Sequence, residues 1–490
     1  MVDHLDVRRG AYADSVSLMQ VSRRVGDVDG VTNALIAMAT ELNLGLLAGM
    51  GYDAPDAGPN DLVVAIRADD DDVLDAALTE LDAALAASRG GGDQAGFGDA
   101  PAPRTTRDAA AFGGQLALIS VPGEHAYVEA LDALRAGLHV MIFSDNVPVD
   151  LEVALKTEAG HRGLLVMGPD AGTAIVSGVG LGFANVVSPG TVGIVAASGT
   201  GAQQLSCLLD DAGIGVSHVL GVGGRDLKAA VGGRSTLQAM RALDEDPATE
   251  LIVLLSKPPD EAVATTIRAA AGQLATPVVF ALLGPDQGEL TEAAAEVAEA
   301  LGVDFDPPRS WDAPTERSGA YTELRGLFAG GTLCQEAVLI AADAFGGVAS
   351  NLTVPGAAPL TQGLDTPGHL LVDLGEDEYT LGHPHPMIDQ GLRLERIAAE
   401  AARPGARVLL LDVVLGHGAH ADPAGELAPA IADAIAAADD LAVVVSLCGT
   451  AGDPQGRDAQ VAQLVQAGAS VHLSNAAAAY RAVELLGGDA

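Results

Sequence analysis

The stretch 371–389, LVDLGEDEYTLGHPHPMID, concentrates ionisable side chains at the end of an apolar run. Glu376 and Asp377 follow a glycine, and His383 and His385 stand in a His-Pro-His-Pro string. Imidazole titrates near neutral pH, so both histidines are candidate proton carriers or oxyanion donors. The prolines reduce the entropy lost in holding them in place. A rigid surface turn is the plainer alternative. LGHGAHADP supplies a second pair, His417 and His420, which are either further proton carriers or exposed loop residues. Lys257 in LLSKPPDE ends an apolar run, and the two prolines after it keep the loop out of a helix. Its ammonium is expected over the strand edge as a catalytic cation; a surface ion pair with Asp260 or Glu261 is the alternative.

Anion binding needs another kind of site. TVGIVAASGTGAQQ reads as a buried strand, a Ser-Gly-Thr turn and a helix. Free N–H groups at such a helix start point outward, and the dipole adds about half a positive charge. Ser198, Gly199 and Thr200 are therefore expected to hold phosphate, with a simple helix cap as the alternative. GGTLCQEAV repeats the pattern at Gly331 and Thr332. If the two segments face each other, both helix starts can address one phosphate. GVGGRDLK places Gly224, Arg225, Asp226 and Lys228 in a strand-end loop. Gly224, Arg225 and Asp226, with Glu376 and Asp377 in the corresponding downstream loop, are the expected substrate contacts. Asp377 and Glu378 alternatively orient their neighbours. No metal set is assigned.

The elements that must position these residues follow a repeating order. Residues 13–88 read as a small α+β module of ferredoxin-like type, with DSVSLMQVSRRV as a strand and GVTNALIAMATELNLGLLAGMG as a helix. DLVVAIRA is a second strand and DDDVLDAALTELDAALAAS a second helix. Residues 89–109 form a Gly/Pro-rich linker. From 110 to 188 strands and helices alternate as in a parallel α/β domain, with no GxGxxG after the first strand. Residues 189–310 and 311–490 then match element by element: a Gly-Thr helix start, a glycine loop, and a third strand with a polar loop. This is an internal duplication into two flavodoxin-like units. Both strand-end loops fall on the carboxyl edge, where open α/β sheets bind ligands.

Composition narrows the class. A chain of 490 residues exceeds a single core, and with 49% hydrophobic but 3% aromatic residues it must pack through small aliphatic side chains. The formal charge is −40, with lysine only at 156, 228 and 257. Such a surface repels nucleic acid and anionic lipid. No apolar run reaches the roughly 18 residues of a membrane helix, and the first residues do not read as a signal peptide. The three cysteines lack metal spacing, consistent with a reduced cytoplasm.

Residues 110–300 resemble the α-subunit of succinyl-CoA synthetase. LLVMGPDAGTAIV resembles its Gly-Pro-Asn segment, VGIVAASGTGAQQ its Ser-Gly-Thr helix start and VLGVGGRD its Gly-Gly loop. Between 14 and 424, DSVSLMQVS, MGPDAGTAI, GVGGRDL, SKPPDE, GEDEYTLGHPHPMID and DVVLGHGAHADPA resemble the FdrA family, an acyl-CoA synthetase-like group. The resemblance implies a Rossmann-like CoA-binding-type domain at 110–188 and two ligase-type flavodoxin-like domains after it. It also implies a subunit of a multi-subunit carbamoyltransferase of anaerobic allantoin breakdown, exchanging oxalurate and phosphate for oxamate and carbamoyl phosphate. Further protein subunits are expected partners, and CoA is the one cofactor to consider. The synthetase, by resemblance, binds a phosphohistidine between two helix starts, and carries that histidine after the fourth strand. Here FALLGPDQGELTEAAAEVAEALG has none, and GHGAHAD follows a third strand instead. Phosphate as a direct nucleophile or leaving group needs no such shuttle. It needs an oriented phosphate, a polarised carbonyl and a proton for the leaving nitrogen. An acyl-CoA synthetase and a non-catalytic CoA-binding scaffold are the alternatives.

Overall fold

The computed structural model describes all residues except 12, 14, 54, 89–104, 285–286, 315–320, 382–383, 439 and 489–490. The chain divides into two compact units, Met1–Asp108 with Leu381–Pro384, and Ala109–Thr380 with His385–Ala490.

The smaller unit runs β1 (Val2–Arg8), α1 (Ser15–Gly26), β2 (Val31–Met38), α2 (Glu41–Gly49), β3 (Leu62–Ala68) and α3 (Asp71–Ser88). Its antiparallel sheet has the order β1-β3-β2. Two readings change here. Residues 14–25 are expected as a strand; all of them but 14, which lies outside the described residues, fall in α1. Leu18, Val21 and Val25 are buried at helical spacing, and three or seven residues apart they share one face. Residues 30–51, expected as one helix, split into β2 and α2. Ile36 and Met38 join the core under α1 and α3, while Leu35 packs on the α2 side. A strand covered on both faces reads as a continuous apolar run, which periodicity does not separate from a helix.

After the short α4 (Thr106–Ala110), the larger unit opens with β4 (Leu116–Ile119), α5 (Gly123–Arg135), β5 (His139–Ile142), α6 (Val149–Arg162) and β6 (Val166–Met167). The three strands pair in parallel. The hairpin β7 (Thr173–Val176) and β8 (Val179–Gly182) leaves this sheet and pairs with the next one. That next sheet carries β9 (Pro189–Ala196), α7 (Gly199–Asp211), β10 (Val216–Gly221), α8 (Arg234–Glu245), β11 (Leu251–Ser256), α9 (Glu261–Ala271), β12 (Val278–Leu282) and α10 (Leu290–Leu301).

A short β13 (Ser310–Trp311) precedes the second copy. This contains β14 (Glu323–Phe328), α11 (Gly331–Phe345), β15 (Val348–Ala349), β16 (Ala357–Ala358), β17 (Leu370–Asp373), α12 (Asp377–Thr380) and α13 (Gly391–Ala402). It continues with β18 (Arg407–Val414), α14 (Pro423–Ala437), β19 (Leu441–Cys448), α15 (Arg457–Gln466), β20 (Ser470–His472) and α16 (Asn475–Leu485).

The strand orders are β12-β11-β9-β10-β7-β8 and β13-β20-β19-β18-β14-β17-β15-β16. Within each copy the first strand is central, the second lies on one side, and the third and fourth lie on the other. The duplication therefore holds at the level of topology. The first strand of the second copy was hidden in sequence because Arg325 interrupts ELRGLF. Arg325 is fully buried, and its guanidinium pairs with Glu400 at 2.9 Å and donates to the carbonyls of Thr366 and Leu364.

The β4–β6 sheet and the first copy share a core, in which Met141 and Met167 pack with Val195, Leu220 and Leu254. A buried ion pair also links them. Lys156 Nζ lies 2.8 Å from both Glu152 Oε1 and Asp226 Oδ1 and donates to the Val222 carbonyl. All three side chains are essentially inaccessible. Removing the cation strands two buried carboxylates, so Lys156→Met should destabilise the larger unit by about 3–5 kcal/mol. Urea or thermal unfolding of the full chain checks this, and an unchanged transition would count against it.

Candidate functional site

The duplicated helices α7 and α11 begin against each other. Ser198 is the N-cap of α7 and its Oγ accepts from Gly201 N. The same Oγ lies 2.6 Å from Thr332 Oγ1, and Thr332 N donates to Thr200 Oγ1 at 3.4 Å. Gly330, the α11 N-cap, has no side chain to cap with. Instead Asp412, from β18, accepts from Ala329 N and Gly330 N, each at 2.8 Å. Burial raises the Asp412 pKa, against Arg393 and these two N–H groups. First-turn N–H groups have no intrahelical acceptor. Those of Gly199, Thr200 and Gly331 find no other among the described residues. The five residues expected to hold phosphate are thus brought together.

Asp373, at the carboxyl end of β17, closes one side of this junction and was not singled out from sequence. Its Oδ1 accepts from Gly375 N at 2.8 Å. Its Oδ2 would lie 2.4 Å from a Cβ on Gly331. Burial pushes its pKa up to about 7; Glu376 and Asp412 add to this, while Gly375 N–H and Lys257 oppose it. A Cβ on Gly375 would lie 2.7 Å from His385 Nε2 and 3.0 Å from the Ala329 carbonyl. The two glycines therefore let a carboxyl and an imidazole approach the helix start.

His385 Nδ1 accepts from Met387 N at 3.2 Å, which leaves the ring proton on Nε2, the nitrogen facing Gly375. Burial lowers its pKa to about 4, so it is neutral at pH 7. Of the two roles expected for it, proton carrier or oxyanion donor, a neutral ring with its proton on Nε2 suits the second. Lys257 follows β11; its carbonyl accepts from Ser256 Oγ, and its ammonium forms no hydrogen bond or ion pair among the described residues. The pairing with Asp260 does not occur; that carboxylate caps α9. Lys257 instead acts electrostatically on Asp373 and Cys334 of the second copy.

The remaining expected residues divide. Arg225 is half-buried, held by Glu152 Oε2 at 3.0 Å and by the Val147 carbonyl. Gly224 and Glu376 are exposed on their loops, and Asp377 is exposed at the start of α12. Glu376 influences both Asp373 and Asp170, and Arg225 and Asp377 influence Asp170 as well, so these loops share one rim. Asp226 is the correction. It is fully buried, pairs with Lys156, and accepts from Ser235 N, Thr236 N and Thr236 Oγ1. Its oxygens hold the glycine loop onto α8 and are not open to substrate. His417 is exposed; its backbone bridges Ala184 and its ring lies beside Gly180 of β8. His420 is buried, accepts from Asp422 N and meets Glu426, a structural role. His383 lies outside the described residues.

Asp373 and Asp412 left little signal in sequence. Each ends or nearly ends a buried apolar strand, and a carboxylate at a sheet's carboxyl edge was the available clue.

A fold of two duplicated flavodoxin-like halves, with helix starts meeting at their junction, defines a CoA-ligase-like α/β protein. Residues 327–485 match the CoA-ligase family model, and residues 1–101 match a model described as AllF, heavy metal-associated domain. The uncharacterized protein YahF of Escherichia coli (strain K12) is 38% identical over 94% of each chain. The chain belongs to the YahF family. The succinate–CoA ligase [ADP-forming] subunit alpha of Methanothermobacter thermautotrophicus is 29% identical over 29% of this chain and 47% of its own. The solved Ca. Korarchaeum cryptofilum dinucleotide-forming acetyl-coenzyme A synthetase 1, in complex with phosphate and ADP, aligns over 76% of this chain and 84% of its own. Its identity is 15% and its TM-score 0.29, too loose a likeness to bear on the site. Residues 1–101 contain no cysteine and a single histidine, His4. No group of ligating side chains suited to a metal occurs among the described residues. The N-terminal residues therefore do not fit a soft metal ion. No described helix is long and apolar enough to cross a membrane.

The glycine requirement at the junction is testable. In Gly375→Ala the new Cβ must displace the His385 ring or the Ala329 carbonyl. Overpacking of this kind costs about 1–3 kcal/mol, and calorimetric melting should record the loss.

Proposed function

We propose that this chain is an FdrA-type subunit of a cytoplasmic carbamoyltransferase of purine and allantoin catabolism. It interconverts an oxalurate-like N-carbamoyl acid plus phosphate with oxamate plus carbamoyl phosphate, together with further protein subunits. The observation that carries this reading is the meeting of the two helix starts within one chain, where no histidine follows β12. N–H groups on Gly199, Thr200 and Gly331 that are unpaired among the described residues, with two positive helix ends, suit a phosphate dianion. Lys257 counters its charge. The Nε2–H of His385 suits a carbonyl oxygen that gains charge as a phosphate oxygen attacks the carbamoyl carbon. Such an attack requires no phosphohistidine.

The second reading is an acid–thiol ligase. The CoA-ligase match over 327–485 and the likeness to a succinate–CoA ligase α-subunit favour it. On that reading CoA would be held by the β4–β6 domain. The purified chain, alone and with the products of neighbouring genes, should form oxalurate from carbamoyl phosphate and oxamate. Formation of an acyl-CoA from acid, ATP and CoA, without oxalurate, would select the ligase instead.

Lys257→Met keeps most of the stem and removes the charge. Phosphate-dependent turnover should fall roughly 10²-fold or more, the scale of one lost electrostatic contact, with an unchanged melting temperature. Near-normal turnover and phosphate affinity would remove Lys257 from the site.

A further inference from the structure

Resting on the carbamoyl-transfer reading, we propose that Asp373 moves the proton between phosphate and the leaving amide nitrogen. Three observations place it there. Asp373 is 4% exposed yet its carboxyl lies against the α11 start, where Oδ2 would be 2.4 Å from a Cβ on Gly331. Oδ1 is fixed by Gly375 N, whereas Oδ2 takes no hydrogen bond among the described residues. Of the histidines expected for this task, the three within the described residues do not offer it. His385 is neutral, with Nδ1 engaged. His417 is exposed beside β8, and His420 is engaged by Asp422 N and Glu426.

The groups facing Asp373 come from every neighbouring element. Glu376 follows it in the same loop, Asp412 lies on β18, Cys334 on α11, and Lys257 after β11. His385 faces it across Gly375. Two of these are acids, and Asp373 itself is buried, so its protonated form is favoured. That form suits an anion cradle: a neutral carboxyl tolerates phosphate beside it, and an ionised one repels it.

The step balances. An oxygen of the hydrogen phosphate dianion bonds to the carbamoyl carbon, and the bond from that carbon to the amide nitrogen breaks. The Asp373 proton passes to the nitrogen, completing the amide of oxamate. The proton of the attacking phosphate then returns to the Asp373 carboxylate. No proton or electron is left over, and no further reactant is needed.

Asp373→Asn keeps the acceptor for Gly375 N and removes the transferable proton. In the full complex, turnover of oxalurate with phosphate should fall about 10²–10⁴-fold, the range for general acid–base catalysis. Wild-type activity should decline as pH rises through about 7, and that limb should vanish from the residual activity of Asp373→Asn. Calorimetry with inorganic phosphate should give similar affinities for both proteins at pH 6, with the variant binding more tightly at pH 8. Added formate should restore turnover to Asp373→Ala, which a purely structural residue would not permit. Wild-type protein that turns over oxalurate while Asp373→Asn stays within threefold, or keeps the limb, overturns the role of Asp373 alone. Wild-type complex without carbamoyl transfer overturns the functional reading and this role with it.

Discussion

Two helix N-termini that meet at hydrogen-bond range bring like partial charges together, each about half a positive charge. The junction of α7 and α11 is such an encounter, with Ser198 and Thr332 hydroxyls in contact. Left alone it would push the two halves apart. The acceptor oxygens of two buried acidic side chains oppose this. Asp412 binds the N–H groups leading into α11, and Asp373 lies over Gly331. An anion arriving at the free N–H groups would add to that compensation. The arrangement is thus both a structural constraint and a reason for the site to attract phosphate.

The scarcity of cations sharpens the point. Of three lysines, Lys156 is buried in an ion pair that joins α6 to the glycine loop. Arg325, Arg393 and Arg407 are buried as well, bound to carboxylates and backbone carbonyls of the second copy. In a chain of charge −40 these positive groups hold the interior together. An anion site there must rely on backbone N–H groups and on Lys257, whose ammonium has no ion pair among the described residues. Lysine and arginine counts alone would have pointed away from phosphate chemistry. Helix geometry supplies what the composition lacks.

The same economy explains the reassignment of roles around the site. In the buried junction imidazole loses its charge, as His385 does, whereas a carboxyl holds its proton up to about pH 7, as Asp373 does. Desolvation acts oppositely on the two types of group. The histidine becomes a neutral donor and the acid becomes the proton store, the reverse of their behaviour in water.

Local pattern determined the repeated strand–helix order, the Ser-Gly-Thr and Gly-Gly-Thr helix starts, and the glycine loops at the carboxyl edge. Backbone periodicity and capping chemistry are properties of a few neighbouring residues, so they survive in a linear reading. Those rules failed where a strand is covered on both faces, as in β2, or carries a buried arginine, as in β14. There the decisive partners, α2 for Leu35 and Glu400 for Arg325, lie elsewhere in the chain. The same holds for the site. That Asp226 serves Lys156, that Lys257 acts across the junction, and that Asp373 reaches α11 were decided only by the tertiary structure. Burial and charge pairing depend on groups far apart in sequence that folding brings within a few ångströms.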